Sequence, residues 1–418
     1  MKKILKYFKK SKPDKTKSPF LFSVWESFFT FFFVPDEVTS GTGTHIKDKM
    51  DLKRLMTFVV LGLVPAYIFG TYNIGQQHFR ALGQYLSFFD AWNLKLGYGL
   101  IKVLPLYVVT MVVGLGWEFY FSSKKGKGIE EGFLVTGALI PLIMPPDIPL
   151  WILAVAVTFA VVIGKEVFGG TGMNIWNVAL LARVFVFFAY PLTISGDDVW
   201  ISGFSKIAAG AHPEYGWWET GFFNTIFGWF GWTQFDPSFA IVDGFSGATP
   251  LSIAKTGGWD AVIHTFSVKD LLWGNFPGSI GETSKPLILI GSFFILLTGI
   301  ADWRIPLGAL LGIFLTGFIF NIWGATPLMT IPWYYQLHVG GALIAILFMA
   351  TDPVTASSTF KGKWIYGFLI GIIGMLIRVI NPAYPEGWML AILFMNSFAP
   401  LIDHVIISNH IKKRVKSE

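Results

Sequence analysis

Between the apolar runs of this sequence lies one stretch whose residue types suit a bulky anionic group: Asp243-Gly244-Phe245-Ser246-Gly247-Ala248-Thr249-Pro250-Leu251-Ser252. Thr249-Pro250 reads as a helix start, with Thr as N-cap and Pro at the first helical position. A helix N-terminus exposes backbone N–H groups and a partial positive charge, which suits a phosphate. Gly244 and Gly247 let backbone approach a large group closely. The same residues also describe an ordinary capped surface helix, and by themselves they leave both readings open.

Other polar residues stand out because they interrupt or end apolar runs. A carboxylate at membrane depth is costly, so its default reading is functional. Glu118 closes the run through Gly114, Leu115, Gly116 and Trp117. Its alternative is a hydrated interfacial carboxylate near Lys124. Asp403, followed by His404, stands near the end of the last run, where the alternative is a helix end reaching water. Carboxylates and backbone carbonyls are hard oxygens of the kind a small cation takes; the resemblance described below makes Asp403 and Glu118 the candidates for it. Glu282 is a further carboxylate, and Asp352-Pro353 reads as a helix cap. Asn174 and Asn177 flank Trp176. Their amides offer donors and acceptors to the polar edge of a ring-shaped ligand, or else they satisfy backbone at a helix break. Thr136 is grouped with them. Lys165, Arg183 and Arg378 are cations in or beside apolar runs, and their partners are not legible from sequence.

The elements that must position these residues are membrane helices. Of 418 residues, 53% are hydrophobic and 14% charged, against about 25% charged in soluble domains. Mean hydropathy is +0.57, with 41 Phe and 17 Trp. Apolar runs of roughly 20 residues recur, the length that crosses a bilayer as helix. These features exclude a soluble enzyme, a secreted disulfide scaffold and a disordered chain. The continuous rather than alternating runs argue against a membrane β-barrel. With no Cys there is no disulfide and no thiolate-held metal centre, and the seven His lack ligand spacing. No tightly bound metal is expected. The net charge of +6 falls in short segments between apolar runs. That is the pattern of the positive-inside rule rather than of nucleic-acid binding.

Residues 1–54 form a basic extension, with an aromatic stretch, Phe20–Phe33, read as amphipathic and interfacial. About ten spans follow: Leu55–Gly75, Leu96–Phe121, Gly132–Pro146, Pro149–Gly164 and Trp176–Leu192, then, after an outer segment at 195–285, Pro286–Ala301, Ile305–Trp323, Leu337–Ala350, Trp364–Ile380 and Trp388–Val405. A basic tail occupies 406–418. The charge bias places both termini in the cytoplasm and the 195–285 segment outside. An internal repeat joins the halves 55–194 and 286–405. Gly137-Ala138-Leu139-Ile140 matches Gly341-Ala342-Leu343-Ile344, and Asn177-Val178-Ala179 matches Asn381-Pro382-Ala383, both at an offset of 204 residues. The matches lie five spans apart, an odd number, so the second half is inverted relative to the first. Inverted repeats with broken helices are a transporter architecture, and the third and eighth spans are short and end in Pro and Asp.

The motif Asp-x-x-Ser-Gly-Ala-Thr at Asp243, Ser246, Gly247, Ala248 and Thr249 resembles the flavinylation signature, in which a transferase esterifies FMN to the Thr hydroxyl. More widely, the chain resembles the NqrB/RnfD family, the flavinylated membrane subunits of the sodium-translocating NADH:quinone oxidoreductases (Nqr) and of the related Rnf complexes. The resemblance rests on Asp51-Leu52-Lys53-Arg54, Gly164–Gly172, Phe187–Pro191, Ser246–Thr249, Pro277–Glu282 and Asn381–Gly387. The long extension and Asp51–Arg54 favour the Nqr branch over Rnf. The resemblance implies an all-α fold of two inverted five-helix repeats like that of urea transporters. It implies FMN phosphoester-linked to Thr249 on the periplasmic side of a bacterial inner membrane. It implies noncovalent riboflavin within the chain, near Thr136, Asn174 and Asn177. Quinone would be reduced near Gly114, Leu115, Glu118 and Phe133, and Asp403 would take part in sodium uptake. Partners would be NqrA, NqrC, NqrD, NqrE and NqrF, membrane lipid and the flavin transferase. The sequence departs from the family at Leu115, where a second Gly is usual, and at Val178, where Pro is usual. Alternatives at this stage are an RnfD protein and a non-redox solute channel of the same fold.

Overall fold

Helix is the only regular structure among the described residues. A lipid-facing chain requires this, because its backbone polar groups must be satisfied internally. The computed structural model describes residues 10–14, 17–32, 52–125, 132–203, 217–236, 247–381 and 387–415. Asp243, Gly244, Phe245 and Ser246 lie outside the described residues. So do Lys127, Pro382–Glu386 and most of the basic extension.

In chain order the helices are α1 (Pro19–Phe32), α2 (Leu52–Ala81), α3 (Trp92–Lys125), α4 (Phe133–Ile143), α5 (Leu150–Val161), α6 (Val178–Ala189), α7 (Asn224–Trp229), α8 (Pro250–Thr265), α9 (Val268–Trp273), α10 (Lys285–Leu297), α11 (Arg304–Trp323), α12 (Ala342–Ile344), α13 (Phe360–Ile380) and α14 (Trp388–Val415). α2, α3, α11, α13 and α14 are long and apolar enough to cross a membrane, while α4, α6 and α10 are apolar but shorter. The chain is therefore a polytopic helical membrane protein.

Several expected spans are redrawn. α2 and α3 run past their expected ends, to Ala81 and Lys125. Pro65 and Pro105 sit inside them without ending either helix, as neighbouring helices permit in a membrane. The expected third span closes early, at Ile143, because Met144 turns extended ahead of Pro145. α5 does not stop at Gly164 but passes into a π turn, Val162–Glu166. The expected span from Leu337 is broken. A 3₁₀ turn, Trp333–Leu337, gives way at Gly340 (φ +70) to α12 and a second π turn, Ala345–Met349. The aromatic stretch near the N-terminus is α1, which lies on α3.

Packing follows from small residues. On α11, Gly308 and Gly312 face α13, whose Gly367 and Gly371 reciprocate. A Cβ on any of the four would press on the facing backbone. Gly62 on α2 and Gly291 on α10 meet in the same way. This is the small-residue interface of membrane helices, where backbones approach closely. In the first half α3 packs on α5 and α5 on α6; in the second, α11 packs on α13 and α13 on α14. α2 against α10, and α6 against α14, join the halves.

Candidate functional site

A cavity opens at the seam where α2, α4, α10 and the segments before α6 and after the second π turn meet. Its wall takes Thr136 from α4, Lys165 from the first π turn, Asn174 and Asn177 from the approach to α6, Phe348 from the second π turn, and Asp352 beyond it. The three residues grouped from sequence as flavin candidates thus share one cavity.

Each is fixed by local structure. Asn177 is the N-cap of α6: its Oδ1 accepts from the N–H groups of Ala179 (3.1 Å) and Leu180 (3.2 Å). Its Nδ2 faces Asp352 Oδ2 across the seam at 3.4 Å. Backbone satisfaction at a helix start, one of the two sequence readings, therefore accounts for the oxygen, and the amide nitrogen is turned to the other half. The Asn174 amide donates to the Trp176 carbonyl (3.1 Å), and the Trp176 indole N–H donates to the Ser397 hydroxyl on α14 (2.8 Å). Asp352 accepts from the Val354 N–H and the Thr355 hydroxyl, both at 3.1 Å; it closes a turn and caps no helix, the cap of α13 being Thr359. Next to Asn177, the buried Tyr366 hydroxyl and the Asn396 amide lie 2.5 Å apart. Neither was singled out from sequence, because the two lie 30 residues apart on different helices and only the fold brings them together.

Glu118 is not at a hydrated interface. It is 5% exposed and forms an ion pair with Lys165, which is 3% exposed. Lys124 is not its partner; that side chain lies over the Tyr120 ring. Lys125 ties to Glu166 at 2.8 Å, so two ion pairs hold the π turn to α3. Gly114 abuts the fully buried Phe133 so closely that a Cβ would run into the ring. Leu115 is half-buried against the core. Gly114, Glu118 and Phe133 are not on the cavity wall; Glu118 reaches it through Lys165, and Phe133 follows Gly132, which is on it.

Asp403 accepts five hydrogen bonds at the start of α13: from the hydroxyls of Ser357 (2.6 Å), Ser358 (3.0 Å) and Thr359 (2.6 Å), and from the N–H groups of Ser358 (2.8 Å) and Thr359 (3.1 Å). It does not simply end a helix in water. Glu282 accepts from the Ser279 hydroxyl at 2.8 Å and lies beside Gly341.

Thr249 is the N-cap of α8, with Pro250 at the first helical position, as its sequence predicts. Its Oγ1 accepts from the Ser252 N–H at 3.2 Å, and the Ser252 hydroxyl donates to Asp197 at 2.7 Å. Thr249 and Ala248 are partly exposed, and Gly247 is buried. α8 kinks at Gly258 (φ +70), where the Trp259 N–H donates to Thr330 Oγ1 at 2.8 Å. Leu251 and Arg378 meet over Gly340, near the C-terminal end of α13. Thr249 is not part of the cavity wall, on which Asp352, Pro353 and Val354 come from the segment before α13.

A family model described as the NQR2, RnfD, RnfE family matches residues 39–412. The B subunit of the Na(+)-translocating NADH-quinone reductase of Chromohalobacter salexigens is 42% identical over 416 residues, covering 95% of this chain and 92% of that protein. The protein of the same name from Pseudomonas aeruginosa is 42% identical, covering 94% and 93%. That from Yersinia pestis is 41% identical over 425 residues, covering 94% and 93%.

Proposed function

The chain belongs to the NQR2, RnfD, RnfE family, and on that premise we propose that it is the membrane subunit of a sodium-translocating NADH:quinone oxidoreductase. In this reading it carries FMN on Thr249 and riboflavin in the seam cavity, and passes electrons to quinone as sodium is exported. The observation that carries the reading is the convergence of Thr136, Asn174 and Asn177 on one cavity.

The residues present fit both flavins. The fit of the seam cavity rests on the chemistry of its wall, since small-molecule sites are mostly apolar with a few placed polar groups. Its wall is mostly apolar with a few convergent polar groups, which grip a flat ring and its polar edge. At Thr249 the esterifiable hydroxyl stands at a helix N-terminus that suits a phosphate. An Oγ1–P bond in place of Oγ1–H leaves that oxygen free to keep accepting from Ser252. Flavin, when bound, supplies the electron-transfer chemistry. The chain's own residues hold it, orient it and exclude water.

Quinone is assigned to the neighbourhood of Gly114, Leu115, Glu118 and Phe133, and sodium to Glu118 and Asp403. Asp403 is placed among hydroxyl oxygens, which are hard ligands of the required kind, and Glu118 reaches the cavity through Lys165. We read the architecture as ten crossings in two inverted five-helix repeats, urea-transporter-like. The matched packing orders of the two halves and their Gly62–Gly291 meeting support this. The domain limits, the cytoplasmic termini, the bacterial inner membrane and the periplasmic position of Thr249 belong to the same reading. So do the partners NqrA, NqrC, NqrD, NqrE and NqrF, membrane lipid and a flavin transferase. The chain by itself is not expected to oxidise NADH.

The test is the electron donor of the assembled complex. NADH should reduce it, and sodium should accelerate quinone reduction. Reduction by ferredoxin and not by NADH would make the chain an RnfD protein. A purified assembly that neither donor reduces would leave the solute-channel reading.

A further inference from the structure

The ion pair behind the cavity has a direction. Lys165 is part of the cavity wall, and Glu118 stands behind it on α3. The pair therefore turns its positive end toward the cavity. The π turn makes this possible: π turns are inserted at functional sites, and this one, Val162–Glu166, holds Lys165 and Glu166 against α3 through two ion pairs. The opposite wall carries Asp352 from the second half, its carboxylate occupied by Val354, Thr355 and Asn177. Both charges are buried, where solvent screens little.

We propose that Lys165, held in place by Glu118, sets the reduction potential of the ring bound in this cavity. This rests on the reading of the cavity as the noncovalent flavin site. Each electron added without a proton places one negative charge on the ring. A fixed ammonium beside it stabilises that charge and raises the potential. The electrons come from a reduced flavin upstream and leave to quinone. Lys165 gains and loses no electron. It is a tuning residue, and Glu118 is the partner that limits its field at the ring.

The rival is that Lys165 merely ties α5 to α3, and the sign of the effect separates the two. A full chain carrying Thr249→Asn keeps the helix cap but lacks the hydroxyl for covalent attachment. Redox titration of that chain in detergent then follows the noncovalent flavin alone, with flavin content measured by extraction. Lys165→Met should move the midpoint to more negative potential. Glu118→Gln should move it to more positive potential, and Lys165→Arg should leave it near that of the parent. Unmoved midpoints, or shifts of the same sign in Lys165→Met and Glu118→Gln, overturn the tuning role. If Lys165→Met fails to fold or loses its flavin, Glu118→Gln decides by the sign of its shift. A parent chain without extractable flavin overturns the cavity assignment and the tuning role together; flavin retained at an unmoved potential overturns the tuning role alone.

Discussion

Thr249 carries two tasks in one side chain, and two substitutions separate them. Thr249→Ala removes both the hydroxyl and the cap, destabilising α8 by about 0.5–2 kcal/mol and abolishing flavin fluorescence of the denatured band. Thr249→Asn retains a capping oxygen, so fluorescence should vanish while thermal stability stays close to that of the parent chain. Fluorescence surviving in either variant would exclude Thr249 as the attachment point. Asn174 and Asn177 divide in a similar way. Asn174→Ala should lower extractable flavin with little effect on stability. Asn177→Ala also loses the cap of α6, at about 0.5–2 kcal/mol. Extractable flavin unchanged in both would empty the cavity of its assigned role. At Asp403, alanine leaves two N–H groups and three hydroxyls at the start of α13 without their acceptor, at about 1–3 kcal/mol for each donor that finds no other partner. Sodium activation of quinone reduction should weaken in Asp403→Ala or Glu118→Ala; full sodium activation in both would end the sodium assignment. At this scale the caps at Thr249 and Asn177 were legible, because capping is a local rule of residue type and position. The Lys165–Glu118 pair was not. Its partners lie 47 residues apart, and only the π turn aims one at the other.

The elements show where hydropathy is a sound guide and where it is blind. Long apolar runs gave α2, α3, α11, α13 and α14 their existence, and Pro, Gly and Asp marked the short broken pieces. The π turns at Val162–Glu166 and Ala345–Met349, like a third at Trp218–Phe223, and the break at Gly340 were invisible, because they shift hydrogen-bond register without changing composition. Helix contact rests on absent side chains. Gly114→Leu would drive into Phe133, and overpacking of this kind destabilises by about 1–3 kcal/mol. Phe133→Ala in the same chain should recover part of the loss, which a thermal-shift series on the parent, the two single variants and the double variant would measure. Asp302, between α10 and α11, gives an element a pH dependence. Partial burial pushes its carboxyl up. The hydrogen bond from Lys363 (2.8 Å), the Arg304 N–H (3.0 Å) and the two cations outweigh this and hold it below its usual range. A depressed native pKa stabilises the fold above the ordinary carboxylate value of about 4 and withdraws that support as pH falls through the lower native value. Asp302→Asn should therefore flatten the acid limb of the stability profile and leave its neutral part parallel to that of the parent. An unchanged acid limb would remove Asp302 from that role.

In the whole molecule, two halves meet through glycines on α2 and α10, and the cavity opens along that meeting line. The offset of 204 residues is a local match of short motifs, and a cavity assembled from segments far apart in the chain could not be read from it. Thr249 is not part of the cavity wall, so the two proposed flavins are held at separate places. Gly291→Val should pry α2 from α10 and release the noncovalent flavin, while leaving Thr249 esterified; loss of both flavins together would show that the two places are not independent. The most direct measurement is flavin analysis of the purified mature chain, with the covalent and extractable fractions separated and the peptide bearing Thr249 weighed by mass spectrometry. FMN joined through phosphate to that peptide, together with riboflavin in the extract, is the expected result. Recovery of the peptide unmodified from a working assembly would contradict it.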